Sequence, residues 1–206
     1  MLDAGARRII DPPLNMLGRH VARTGIGANA VTLAGLALGL VAAGLIYADR
    51  PWLALLFLAI SRLADGLDGA VARATAKTDF GGYLDIAADF LFYGAVPLAF
   101  VLNDPAANGA AGAFLLASFY FNATSFLGYA ILAEKHDMET AAQGSKSLYF
   151  SNGILEGTET IAFFVLLCLL PGLFAPLAWV FGALCYATAL LRIAAAHRIF
   201  TTTESP

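Results

Sequence analysis

Apolar residues along the chain are gathered into six long runs, separated by short polar breaks and by one longer polar interval, 133–153. The runs cover approximately residues 29–48, 52–72, 82–102, 109–132, 154–171 and 173–195. A bilayer core about 30 Å thick is crossed by roughly 20 apolar residues in a helix, which is close to the length of each run. The pattern predicts an all-α, polytopic membrane protein with six transmembrane helices, a single domain over 1–206 whose core is 29–196.

The segment before the first run, residues 1–28, is more polar but carries a helical repeat. Leu14, Leu17 and Val21 recur at helical spacing with basic residues beside them. This predicts a short amphipathic helix along the cytoplasmic membrane interface. The alternative is an unstructured basic tail. Because no apolar stretch follows the first arginines, we expect no cleaved signal peptide.

The composition agrees with a membrane protein and excludes several other classes. Apolar residues make up 59% of the 206 residues and charged residues 13%, about half the share in a soluble domain. The two cysteines lie in apolar runs, so a disulfide scaffold is excluded. The net charge is −3 and no basic run is interleaved with aromatic residues, so we expect no nucleic-acid partner.

Lys and Arg are concentrated in segments that would share one side of the membrane. They precede the first run and follow the second, fourth and sixth runs: Arg7, Arg8, Arg19, Arg23, Arg73, Lys77, Lys135, Lys146 and Arg198. The opposite side carries only Arg50. Since cytoplasmic loops carry the excess of Lys and Arg, we expect a multi-pass protein of the plasma membrane (a bacterial inner membrane) with both termini cytoplasmic.

Four carboxylates interrupt the second and third runs in an ordered way. Asp65 and Asp68 are three residues apart, Asp85 and Asp89 are four apart, and each pair therefore shares one face of its helix. The two helices are joined by a short turn at the cytoplasmic side. We expect all four side chains to converge near that leaflet, where ionisable residues are functional candidates.

Clustered carboxylates in a low-dielectric site repel one another unless a cation binds them. Oxygen ligands suit Mg²⁺, Mn²⁺ or Ca²⁺, and the absence of paired Cys and His argues against zinc. Two such ions would stabilise a phosphoryl-transfer transition state. Gly69 leaves room for a phosphate, and Arg73 supplies a guanidinium for its oxygens. The alternative is an ion or proton pathway in a transporter.

These residues resemble the signature of the CDP-alcohol phosphotransferases, integral membrane enzymes of phospholipid synthesis. That signature reads Asp-x2-Asp-Gly-x2-Ala-Arg and, about eight residues later, Gly-x3-Asp-x3-Asp. This chain matches it at Asp65, Asp68, Gly69, Ala72, Arg73, Gly81, Asp85 and Asp89. The six-span plan is also similar, so the resemblance extends over most of the chain.

The resemblance implies transfer of a phosphatidyl group from a CDP-alcohol, in the first place CDP-diacylglycerol, to a hydroxylated acceptor, with release of CMP. It implies two Mg²⁺ or Mn²⁺ ions on Asp65, Asp68, Asp85 and Asp89, with Asp89 also the catalytic base. The donor would contact Asn29, Thr32, Gly69, Arg73 and Thr78. Members of the family also pair as homodimers. The alternatives are a cation transporter and an inactive family member.

One departure from the signature affects the donor residue in the turn. Seven residues, 74–80, separate Arg73 from Gly81, one fewer than is usual in the family. Counting back from Gly81 gives Thr78, and counting forward from Arg73 gives Asp79. Thr78 is preferred, because a second anion beside a pyrophosphate would be unfavourable.

Acceptor recognition has two sets of candidates. Glu156 and Glu159, three residues apart near the cytoplasmic end of the fifth run, suit a polyol or amino alcohol, or bond neighbouring helices instead. Lys135, Lys146 and Arg192 would suit a phosphorylated acceptor. The sequence leaves both open.

Two further features are interpreted as structural. Arg62 lies one helical turn before Asp65, and we expect it to form an ion pair with an aspartate. Gly35, Gly39 and Gly44 in the first run favour close packing of helices rather than a ligand channel.

Overall fold

A computed structural model of the chain describes residues 2–136, 155 and 157–202. Within these residues the fold is all-helical and contains no strand. The helices are α1 Leu2–Arg23, α2 Ala28–Tyr47, α3 Pro51–Ala74, α4 Asp79–Asn103, α5 Pro105–Lys135, α6 Gly157–Leu169 and α7 Phe174–Thr202. A single 3₁₀ turn, Pro171–Leu173, joins α6 to α7. The prediction of an all-α fold is confirmed.

The ends of the helices follow the local chemistry of the chain. Pro51 begins α3 and Pro105 begins α5, positions where the missing N–H of proline has no intrahelical partner to lose. Asp104 caps α5 by accepting a hydrogen bond from the amide of Ala107 at 3.0 Å. Thr78 caps α4 in the same way. The predicted runs within the described residues coincide with helices, and their ends differ by one to four residues except at the end of α7, which extends seven residues beyond the predicted run.

Among the described residues, four helical stretches are long and apolar enough to cross a membrane: α2, α4, α5 and Pro171–Thr201. Helix α3 has 24 residues, about 36 Å, but its second half carries charged side chains. Helix α6 has 13 residues, because part of the predicted run 154–171 lies outside the described residues. The structure thus shows a helical protein in which four of the six predicted spans are long and apolar enough to cross a membrane.

The N-terminal segment forms a helix, so the alternative of an unstructured tail is wrong for residues 2–23. Helix α1 packs against α3. The contact is close at Gly18, where a methyl group would lie 2.7 Å from the backbone carbon of Ala70. Leu14 lies against Gly66, another residue without a side chain. Helix α1 is therefore held against the C-terminal half of α3, which carries Asp65 and Asp68.

Helix α2 lies between α3 and α4 and contacts both. A methyl group at Gly35 would lie 3.1 Å from Cβ of Ala64, and one at Gly39 would lie 2.6 Å from a ring carbon of Phe92. Nothing lies within 4 Å of the corresponding point at Gly44. The predicted role in close packing is confirmed for Gly35 and Gly39, whereas Gly44 has no such contact.

The apolar core is continuous along these contacts. Its fully buried side chains include Ile46, Leu58, Phe92, Leu115 and Phe164. The rings of Phe92 and Phe164 meet edge to face with centroids 5.8 Å apart. Phe92 lies one helical turn from Asp89, so the core directly supports the helix that carries two of the carboxylates.

Replacement of Gly39 by alanine should destabilise the protein, because the added methyl group must displace the ring of Phe92. Overpacking of this kind costs about 1–3 kcal/mol. Gly44→Ala is the matched control in the same helix, where the methyl group meets no neighbour. We expect a lower thermal unfolding midpoint in detergent for Gly39→Ala and an equal or higher one for Gly44→Ala. Equal midpoints for both variants would contradict the packing described for α2.

Candidate active site

The carboxylates lie on an antiparallel hairpin formed by α3 and α4. Asp68 is six residues before the end of α3 and Asp85 is six residues after the start of α4. Asp65 and Asp89 lie nine and ten residues from the same ends. At 1.5 Å per residue, Asp68 and Asp85 lie about 9 Å from the helix ends at the turn, and Asp65 and Asp89 lie about 14 Å from them. Matching distances along antiparallel helices bring the pairs together, as the spacing predicts.

Three of the four carboxylates form a compact group. One oxygen from each of Asp65, Asp85 and Asp89 can be chosen so that all three lie within 4.8 Å of one another. All three residues are partly buried. A set of three converging carboxylate oxygens without nitrogen or sulfur fits a hard divalent cation such as Mg²⁺ or Mn²⁺.

Asp68 lies beside this group and bonds to α2. Its Oδ2 accepts a hydrogen bond from the Thr32 hydroxyl at 2.6 Å, and its side chain is buried, with 6% exposed. The two residues were predicted for different roles, Asp68 for metal and Thr32 for the donor. The structure brings these two residues into direct contact, so the residues predicted for metal and for donor adjoin each other.

Arg62 forms the ion pair expected of it, with two aspartates. Its Nη1 lies 2.8 Å from Oδ1 of Asp89 and 3.3 Å from Oδ1 of Asp65. Its Nη2 donates to Oγ of Ser61 at 3.2 Å, and its guanidinium carbon lies 4.0 Å from the centre of the Phe92 ring. Arg62 therefore ties α3 to α4 at the level of the carboxylates. The stacking on Phe92 had no signal in the sequence, because it depends on how the helices cross.

The predicted donor residues on α2 and α4 lie together at the mouth of the hairpin. The Thr78 hydroxyl accepts a hydrogen bond from the amide of Gly81 at 3.0 Å. A methyl group at position 81 would lie 2.9 Å from this hydroxyl and 3.2 Å from Oδ1 of Asn29. The absence of a side chain at Gly81 thus lets Asn29 and Thr78 approach each other.

The predicted donor residues on α3 also lie close to each other. A methyl group at Gly69 would lie 3.3 Å from Nη1 of Arg73. Nε and Nη2 of Arg73 donate to Oδ1 of Asn15 at 3.0 and 2.9 Å. Asn15, on α1, was missed by the sequence reasoning. The available signal was Gly18 one turn away, a residue that allows α1 to approach α3.

The candidate acceptor residues are more dispersed. Glu159 is partly buried in the first turn of α6. Lys135 is exposed at the end of α5. Arg192 is buried in α7 and donates to Asn122 and Ser125 of α5: to the carbonyl oxygen and Oδ1 of the first and to Oγ of the second.

The other two acceptor candidates, Glu156 and Lys146, lie outside the described residues. The start of α6 nevertheless contacts α4, the helix that carries Asp85 and Asp89. A methyl group at Gly157 would lie 3.5 Å from the hydroxyl of Tyr93, which is one turn beyond Asp89.

Two solved structures share this fold. The phosphatidylinositol phosphate synthase PgsA1 of Mycobacterium tuberculosis with CDP-DAG bound superposes with a TM-score of 0.66 and 18% identity, over 89% of this chain and 93% of that one. The structure of the same enzyme in complex with manganese and citrate superposes with a TM-score of 0.64 and 18% identity, over 89% of this chain and 88% of that one. At this identity the likeness shows the fold.

Sequence relatives extend the comparison. The inner membrane protein YnjF of Escherichia coli (strain K12) is 44% identical over 193 residues, 94% of each chain. The archaetidylinositol phosphate synthase of Pyrococcus horikoshii is 40% identical over 83 residues, 40% of this chain and 44% of that protein. The family described as CDP-alcohol phosphatidyltransferase matches residues 26–199, which include all four aspartates. The chain belongs to the CDP-alcohol phosphatidyltransferase family.

Proposed function

We propose that this protein transfers the substituted phosphate group of a CDP-alcohol, CDP-diacylglycerol in the first place, to the hydroxyl of a small acceptor. The acceptor oxygen forms a new bond to the β-phosphorus, the bond from that phosphorus to the bridging oxygen breaks, and CMP leaves with the bridging oxygen. The acceptor proton passes to Asp89. The observation that carries this proposal is the convergence of Asp65, Asp85 and Asp89. Family membership and the CDP-DAG bound to PgsA1 support it.

Asp65, Asp68, Asp85 and Asp89 are proposed as the ligands of two divalent ions, Mg²⁺ or Mn²⁺, in the reacting complex. Bound there, the ions would neutralise the pyrophosphate and the departing CMP. The chain itself holds the carboxylates in place: Thr32 orients Asp68, and Arg62 orients Asp65 and Asp89. The manganese in the PgsA1 structure supports a divalent ion in this fold.

Asn29, Thr32, Gly69, Arg73 and Thr78 are proposed to bind the CDP part of the donor. They line the hairpin between the carboxylates and the turn, where contacts link α2 to α3 and α2 to α4. Gly69 would admit a phosphate against α3, and Arg73 would donate to its oxygens. Asn15 keeps the Arg73 guanidinium directed along α3.

We propose a single domain with six transmembrane spans. Four of them are the helices that are long and apolar enough to cross a membrane, and α3 and α6 are the other two. The Lys and Arg excess supports a cytoplasmic site and cytoplasmic termini in the inner membrane. The acyl chains of the donor would then stay in lipid while its CDP group enters from the cytoplasm. A homodimer is part of the same proposal, since the family resemblance implies it.

For the acceptor we propose a polyol or an amino alcohol bound between the start of α6 and Asp89. The closeness of Gly157 to Tyr93 supports this position, and Glu159 lies on the same first turn of α6. A carboxylate binds hydroxyl and ammonium groups well. Arg192 already donates to three oxygen atoms of α5, so its engagement argues against a principal role in binding a phosphorylated acceptor. Glu156 is the second candidate for binding a polyol or amino alcohol, and Lys135 and Lys146 are the candidates for a phosphorylated acceptor.

Asp85→Asn should weaken Mn²⁺ binding at least tenfold, because an amide replaces one charged ligand of a three-carboxylate site. Asp79→Asn is the matched control, since it removes the same charge from the exposed first turn of the same helix. Titration of Mn²⁺ into purified protein, followed by the electron paramagnetic resonance of the free ion, measures both. Equal affinities of the two variants would exclude Asp85 as a ligand.

CMP release from CDP-diacylglycerol is expected with Mg²⁺ or Mn²⁺ and to stop with a chelator. This assay is run with serine, inositol, glycerol phosphate, inositol phosphate and choline as acceptors.

Asp89→Asn should lower the turnover rate by about 100-fold or more, the contribution of a general base. Asp104→Asn, in which asparagine can still cap α5, should keep wild-type turnover. Full activity of Asp89→Asn would exclude the proposed base.

Glu159→Gln should raise the KM for the acceptor with little change in the KM for CDP-diacylglycerol, because a charged hydrogen-bond acceptor is lost from the proposed pocket. Such a bond contributes about 1.5–3 kcal/mol, or roughly 10- to 150-fold in KM. Lys135→Met tests the rival set. A rise in acceptor KM with Lys135→Met alone would favour a phosphorylated acceptor instead.

A further inference from the structure

Arg62 places a positive charge inside the carboxylate group that we assign to metal. Its Nη1 contacts Oδ1 of Asp89 at 2.8 Å and Oδ1 of Asp65 at 3.3 Å. These are two of the three carboxylates that converge within 4.8 Å. A divalent ion and the guanidinium therefore compete for the same carboxylates. An ion pair elsewhere on α3 would have no such consequence.

Arg62 is held in this position from two further directions. Its Nη2 donates to Ser61, whose own hydroxyl donates to the carbonyl oxygen of Gly35 at 2.7 Å in a fully buried contact. Its guanidinium carbon lies 4.0 Å from the centre of the Phe92 ring, a cation–π distance. Only 15% of the Arg62 side chain is exposed. Movement of Arg62 into water would break the hydrogen bond to Ser61 and uncover Phe92, so the guanidinium stays when a metal ion binds.

The formal charges then determine how many ions the site accepts. Four ionised aspartates and Arg62 together carry minus three, and one divalent ion leaves minus one. A second ion would leave plus one beside a fixed guanidinium, which is unfavourable where water is scarce. The pyrophosphate of a CDP-alcohol carries two negative charges, so a second ion that enters with it restores minus one.

We propose that Arg62 takes the place of the second cation in the donor-free protein, so that one divalent ion binds before the CDP-alcohol and the other binds with it. The inference rests on the metal-dependent transfer proposed above and adds an order of assembly to it. Arg62 is a positioning residue, which acts through Asp65 and Asp89. The second ion is thereby present only when a pyrophosphate is there to be neutralised.

The test counts Mn²⁺ bound per chain in nanodiscs, from the paramagnetic resonance of the free ion, without donor and with CDP-diacylglycerol in the absence of acceptor. The wild-type protein should bind about one ion alone and about two with the donor. Arg62→Met, which keeps an unbranched apolar chain over Phe92, should bind about two ions in both states. Arg62→Lys keeps the charge and should bind fewer ions without donor than Arg62→Met.

Arg19→Met is the control, because it removes an arginine from the exposed face of α1. It should retain the wild-type counts. Two Mn²⁺ ions bound to the donor-free wild-type protein would by themselves overturn the inference. A single Mn²⁺ ion bound to folded Arg62→Met would also overturn it. These outcomes differ from failure of the proposed function, which would be seen as no CMP release with any metal and acceptor.

Discussion

Repulsion among carboxylates is the constraint on which the region around α3 and α4 depends. Two like charges 4 Å apart repel by about 4 kcal/mol at an effective dielectric constant of 20, and three aspartates here converge within 4.8 Å. Arg62 offsets part of this repulsion through Asp65 and Asp89, and Thr32 stabilises Asp68 by a hydrogen bond. The negative charge that remains suits the site to the divalent cations proposed for it.

The glycines of α2 allow the helix contacts that offset this repulsion. Thr32 reaches Asp68, and Ser61 reaches the carbonyl of Gly35, only because α2 lies close against α3. Gly35 and Gly39 leave space for Ala64 and Phe92 at that interface. Packing and electrostatics are therefore coupled. Phe92 fills the space opposite Gly39 and at the same time supports the guanidinium that bridges two carboxylates.

The sequence predicted those parts of the site that depend on spacing within one helix or across one short turn. The convergence of Asp65 with Asp89 and the ion pair of Arg62 are of this kind, since 3.6-residue periodicity and an antiparallel hairpin determine them. The contact of Asn15 with Arg73 could not be predicted in this way. It depends on where α1 crosses α3, which is set by the close approach of Gly18 to Ala70 and leaves no periodic pattern. Residues 137–154 lie outside the described chain, so Lys146 stays a prediction.

The choice of arginine at position 62 has a physical reason. A lysine ammonium is a compact, strongly hydrated charge that loses its proton readily when buried, whereas a guanidinium stays protonated. Its planar fork can contact two carboxylates and Ser61 while its face lies on an aromatic ring, as Arg62 does on Phe92. The cluster therefore keeps one fixed positive charge at every physiological pH. Any mobile cation has to be accommodated around that charge, which makes the occupancy of the site depend on the charge that the donor brings.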